Sequence, residues 1–212
     1  MTHRIVDTDN AIVAYGVEGY EWLVDRAANT YSQFGEDGIV DAIFGRIGTA
    51  NRWCFECGAS DGVFFSNTGR LSDDGWECVM VESDRDKYDS LTMRRPLAHN
   101  VYAKIGTDDW TIDTILKLNG APLDLDLLVL DIDGQEYWVL HDMKRYTPRV
   151  VMVEYECPDM DSPPPDRGEP ACKQAGSSWM TQLVESKGYT VVCKTSCNII
   201  AVRSDLADKL SA

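Results

Sequence analysis

From Trp53 to Glu154, short apolar runs alternate with segments whose apolar residues recur at helical spacing. The runs Trp53–Cys57, Cys78–Glu82, Val101–Lys104, Leu125–Asp131 and Val150–Glu154 read as strands, and Thr68–Asp73, Asp84–Arg94, Thr111–Leu118 and Glu136–Met143 as the helices between them. This alternation predicts a parallel sheet with helices on both faces. After a helix at Ser178–Ser186, two more strands, Thr190–Cys193 and Asn198–Val202, are separated only by the turn Thr195-Ser196-Cys197. Strands that close cannot be joined by a crossover helix, so they pair antiparallel as a hairpin. Upstream, Asp9 to Asn29 and Asp37 to Ile47 read as helices, the second from the spacing of Ile39, Val40, Ile43, Phe44 and Ile47. The expected organisation is a helical extension over 1–50, packed on a core over 51–212, as a single α/β domain. The core is expected as a mostly parallel seven-stranded sheet of order 3-2-1-4-5-7-6. A proline-rich irregular segment over 157–176 leaves the carboxyl end of the fifth strand, where open α/β sheets bind ligands.

Composition narrows the classes of function. A chain of 212 residues with 44% apolar content supports one sizeable core. No run is apolar for long enough to span a bilayer, and the first residues lack the basic-then-apolar pattern of a secretory signal. Seven scattered cysteines fit a reducing cytoplasm. Cys54 and Cys57 have no second pair at zinc-finger spacing, so burial explains them better than metal. The formal charge of −15 disfavours nucleic acid and anionic membrane as partners.

The chemistry is concentrated at the ends of the expected strands. Phe55-Glu56-Cys57-Gly58-Ala59-Ser60-Asp61-Gly62 takes a buried strand into a glycine loop able to cradle a nucleotide. Glu82 ends the next strand 20 residues after Gly62, the position from which an acid accepts hydrogen bonds from ribose hydroxyls. Ser83 follows it, and Asp84 suits the cap of the next helix. Glu56 is suited to holding loop amides or a ligand's amino group, and Ser66, Asn67 and Thr68 to ligand binding or helix capping. Asp131 and Asp133, on one side of a strand by period-two alternation, are expected to converge with Glu154 above the sheet, with Glu136 close behind. Such carboxylates can take a proton from an acceptor hydroxyl or hold a divalent cation such as magnesium.

The glycine loop and the terminal hairpin are similar to those of Rossmann-like class I methyltransferases. In more detail the chain resembles the FkbM-type family that uses S-adenosylmethionine (SAM). The likeness lies in Tyr31-Ser32-Gln33-Phe34-Gly35-Glu36-Asp37-Gly38, Trp53 to Gly62, Ser66-Asn67-Thr68, Gly75-Trp76 ahead of Glu82, and Asp131-Ile132-Asp133-Gly134-Gln135-Glu136. The last of these carries Asp133 where the family has Glu. The resemblance implies methyl transfer from SAM to a hydroxyl of a sugar, glycan or secondary metabolite. It implies that Gln33, Glu36, Glu56, Gly58, Ala59, Ser60, Asp61, Gly62, Asn67, Thr68, Glu82, Ser83 and Asp131 hold the cofactor. Asp131, Asp133, Glu154 and Glu136 then face the acceptor. A nicotinamide oxidoreductase shares the fold class but lacks this glycine spacing and the hairpin. A SAM-binding module without turnover is the other alternative.

Overall fold

The computed structural model of the chain describes residues 3–6, 12–106, 109–155, 161–168 and 174–211. Five parallel strands form the centre: β3 (Trp53–Cys57), β4 (Glu77–Glu82), β5 (His99–Tyr102), β6 (Leu127–Leu130) and β7 (Val150–Glu154). The hairpin strands β8 (Tyr189–Thr195) and β9 (Asn198–Arg203) pair antiparallel, and β9 inserts against β7. The central strands are apolar throughout because both faces are covered. Leu128 and Leu130 point into one core layer and Leu127 and Val129 into the other, all fully buried.

Two strands were not anticipated. Among the described residues the sheet has nine strands, in the order β1-β2-β8-β9-β7-β6-β3-β4-β5, rather than seven. The additions are β1 (His3–Val6) and β2 (Ile12–Gly16), which extend the sheet beyond the hairpin, all antiparallel. The helix expected over Asp9 to Asn29 is therefore absent from its described part, where a strand and a 3-10 helix at Glu21–Arg26 stand instead. Ile12, Val13 and Tyr15 favour extended backbone, and the free edge of β8 supplies hydrogen-bond partners that a surface helix would not use. Four ladders are parallel and four antiparallel, so parallel pairing dominates only the central half.

Helices α1 (Glu36–Ile47), α2 (Gly69–Asp73), α3 (Arg85–Arg94), α4 (Ile112–Leu118), α5 (Glu136–Asp142) and α6 (Ser177–Ser186) flank the sheet, and α7 (Ser204–Ala207) ends it. As expected, Asp84 caps α3, accepting from the amides of Asp86 and Lys87 at 2.9 and 3.0 Å. No helix among the described residues is long and apolar enough to cross a membrane.

Candidate active site

A cleft of about 520 Å³ opens along the carboxyl edge of the parallel strands. Gly58 and Ser60 of the loop after β3, Glu82 and Ser83 after β4, Ala103 and Ile105 after β5, Asp131 and Asp133 after β6, and Glu154 at the end of β7 all line it, together with Gln33. Open α/β sheets bind ligands at this edge, where the strand order reverses between β3 and β6.

The glycines of the loop have internal rather than ligand-facing reasons. A Cβ on Gly58 would lie 1.5 Å from the carbonyl oxygen of Asp131, and one on Gly62 would meet Arg95 and Leu91 at 2.6 and 2.7 Å. Both residues also have positive φ, +83° and +72°. They let the loop press against β6 on one side and α3 on the other. Gly62, Ala59 and Asp61 do not line the cleft; the Asp61 carboxylate accepts from the amides of Val63 and Phe64 at 3.0 and 2.8 Å.

Glu56 is buried beneath the loop and also stands outside the cleft. It accepts from the Ser66 hydroxyl at 2.7 Å, the Asn67 amide at 2.7 Å and the Thr68 hydroxyl at 2.6 Å. Burial pushes its carboxyl up, and these three donors pull it partly back. Of the alternatives open in the sequence, Glu56 is the loop anchor. Asn67 and Thr68 serve it: Thr68 stands at the N-cap of α2 but makes no side-chain capping bond.

Glu82 does line the cleft, with most of its hydrogen-bonding capacity engaged. Its Oε1 accepts from the amides of Ser83 and Asp84 at 2.7 and 2.8 Å, and its Oε2 from the Ser60 amide at 2.9 Å. A carboxylate offers about four lone-pair sites, so one remains on Oε2. Glu82 thus keeps one acceptor site for a ligand hydroxyl.

Glu36 does not line the cleft either. Its Oε1 accepts from the Thr195 hydroxyl at 2.7 Å and the Asn198 amide group at 3.1 Å, and its Oε2 from the Phe34 amide at 2.7 Å. It ties the start of α1 to the turn of the β8–β9 hairpin. Of the two residues drawn from the opening signature, only Gln33 faces the cleft.

The acids at the other end converge as expected. Asp131, Asp133 and Glu154 each place a carboxylate oxygen within 4.8 Å of the others. The strand ends at Leu130, and the loop that carries Asp133 runs through positive φ at Asp133, Gly134 and Gln135. Such backbone persists only where its surroundings hold it, and Glu136 supplies the hold. Fully buried and outside the cleft, Glu136 accepts through Oε1 from the amides of Ile132 at 3.1 Å and Gly134 at 2.8 Å. It positions the loop and does not face an acceptor. Burial pushes Asp131 up to about 6, against a hydrogen bond from Glu154. Burial and then the Asp131 charge push Glu154 up to about 10. At neutral pH the arrangement is therefore an ionised Asp131 accepting from a protonated Glu154. The Gln174 amide also donates to Glu154.

The proline-rich segment expected over 157–176 lies partly outside the described residues. One of its described stretches, 161–168, docks at the start of α5: Gln135 donates to the Asp166 carbonyl at 3.0 Å and Trp138 to the Pro165 carbonyl at 2.7 Å. Gln135 lines the cleft, so this stretch is bonded to one of its lining residues without lining it.

Sequence reasoning missed Phe64, Phe65, Lys87, Lys104, Ala103 and Ile105 as lining residues. The last two continue β5 past its carboxyl end, and that position alone is a signal for them.

No protein-family model matches the sequence, and no curated protein matches it. Solved structures do. CalS10, described as an amino pentose methyltransferase from Micromonospora echinaspora with SAM bound, superposes with a TM-score of 0.52 over 89% of this chain and 92% of its own, at 10% identity. DesVI from Streptomyces venezuelae superposes with a TM-score of 0.51 over 79% of this chain and 89% of its own, also at 10% identity. The fold is that of SAM-dependent methyltransferases. At this identity the likeness concerns the fold, and the narrower FkbM resemblance is not part of it.

Proposed function

We propose that the chain is a SAM-dependent methyltransferase acting on a hydroxyl of a sugar, glycan or secondary metabolite. The observation that carries this is a single cleft joining the nucleotide end, Gly58, Ser60 and Glu82, to a carboxylate pair poised to accept a proton, Asp131 and Glu154. Glu82 would receive a ribose hydroxyl, Ala103 and Ile105 would form an apolar wall for the adenine, and Gln33 would meet the amino-acid end. When bound, SAM supplies a methyl group on a sulfonium that already leaves readily.

What remains for the protein is alignment and proton removal. Asp131, ionised at neutral pH, takes the acceptor's proton as the oxygen attacks. Glu154 keeps its own proton and holds the Asp131 carboxylate in place through it. Asp133, exposed at the edge of the cleft, orients the acceptor. Three carboxylates within 4.8 Å also fit a divalent cation, which would lower the acceptor's pKa directly. Turnover that survives exhaustive chelation excludes this second reading.

Isothermal titration with S-adenosylhomocysteine (SAH) tests the proposal. Binding to wild type that weakens in Glu82→Gln supports it, and folded wild-type protein that does not bind SAH rejects it.

A further inference from the structure

Eight large apolar side chains are exposed among the described residues, and of these only Phe64 and Phe65 line the cleft. Phe64 is 64% and Phe65 44% exposed, their ring centroids are 3.8 Å apart, and neither belongs to a core layer. Phe65 has φ +56°, a conformation unfavourable for a bulky residue.

The loop is held in this strained form from both sides. Asp61 fixes the amides of Val63 and Phe64 before it, and Glu56 fixes Ser66, Asn67 and Thr68 after it. Two anchored carboxylates thus keep a pair of aromatic rings facing an open cleft, although burying them would be favourable. Strain held by its surroundings in the wall of a cleft marks a positioning device.

The geometry points to Phe64 and Phe65 as the platform on which the acceptor lies, and to a sugar ring as that acceptor. This rests on the methyl-transfer reading above. A sugar ring carries C–H groups on its faces and hydroxyls around its rim. Aromatic faces take the former by dispersion. The carboxylates of Asp131 and Asp133 accept from the latter in charge-assisted hydrogen bonds. A flat aromatic hydrocarbon or an acyl chain would suit the rings and leave those carboxylates desolvated without donors, which is unfavourable.

Saturation-transfer NMR with methyl glycosides of hexoses and 6-deoxyhexoses, on SAH-loaded protein, tests the assignment. The expected result is saturation of the C–H protons of at least one glycoside. Its affinity should fall about fivefold in Phe64→Leu, which keeps apolar bulk but not the aromatic face, since such contacts are worth ~1 kcal/mol. Phe65→Gly, which relaxes the backbone and so keeps the fold, should lose affinity similarly, while SAH binding in both variants stays at the wild-type level. An equal loss of SAH affinity would mean that the rings cover the cofactor, and would overturn the assignment. So would SAH-loaded wild type that saturates none of the glycosides. Wild type that fails to bind SAH would be a different result, removing the methyl-transfer reading itself.

Discussion

Asp131 and Glu154 stand one step beyond the Leu130–Val153 pair of the β6–β7 ladder, so two neighbouring parallel strands deliver their carboxyl groups to one point. Burial raises both, to about 6 and about 10, and their mutual hydrogen bond separates them into a base and a proton holder. Activity should therefore rise as pH increases through about 6, where Asp131 ionises. Asp131→Asn should lose roughly a hundredfold or more in kcat, the usual worth of a positioned base. A kcat–pH profile that is flat across that range would remove Asp131 from the role.

The same pair gives a stability prediction of opposite sense. Both acids hold protons more tightly folded than unfolded, so their contribution is full below about pH 4. It is lost as pH rises through about 6 for Asp131 and about 10 for Glu154. Thermal melts of Asp131→Asn and wild type should thus diverge with rising pH, the variant becoming relatively more stable. A gap independent of pH would mean that the carboxyl is not buried as described.

Glu56→Ala would leave the Ser66 and Thr68 hydroxyls and the Asn67 amide without their acceptor. At about 1 kcal/mol or more for each stranded buried group, a loss of about 3 kcal/mol is expected, read from the urea midpoint. A shift below about 1 kcal/mol would show that water replaces the carboxylate and that the loop does not depend on it.

Gly58 and Gly120 both have positive φ, yet only Gly58 is sterically confined. Gly120→Ala meets nothing within 4 Å and should cost only the conformational term, about 1 kcal/mol. Gly58→Ala drives a methyl into the Asp131 carbonyl and should cost several-fold more, roughly 3 kcal/mol or above. It should also lower kcat, because the atom displaced belongs to the residue that carries the base. Equal melting temperatures for the two variants would contradict the close approach.

The sites legible in the sequence were those fixed by strand ends. Glu82, Asp131 and Glu154 could be placed because a parallel strand delivers its last residue to the ligand edge whatever surrounds it. Glu36 was expected at the cofactor, and Glu56 was left open between ligand and anchor. Their partners, Thr195 and Asn198 for one and Ser66 to Thr68 for the other, become neighbours only through tertiary packing, and an acid near a glycine loop reads equally well as ligand or anchor. The segment Ile12–Gly16 was misread for a related reason. Its state is decided by the exposed backbone of β8, which local periodicity does not register. Phe64 and Phe65 carried no signal, because adjacent phenylalanines in a sequence ordinarily indicate core.

The strands β1 and β2 make the rim of the sheet a different one from that of a seven-stranded domain. Without β2, Cys193, Lys194 and Thr195 of β8 would present bare amides and carbonyls to solvent, an invitation to self-association that natural proteins avoid. Trimming the chain up to Gly16 would uncover that row. Aggregation of such a shortened form would reflect a lost shield and not a damaged catalytic centre, since the cleft begins at β7, with β8 and β9 between it and β2.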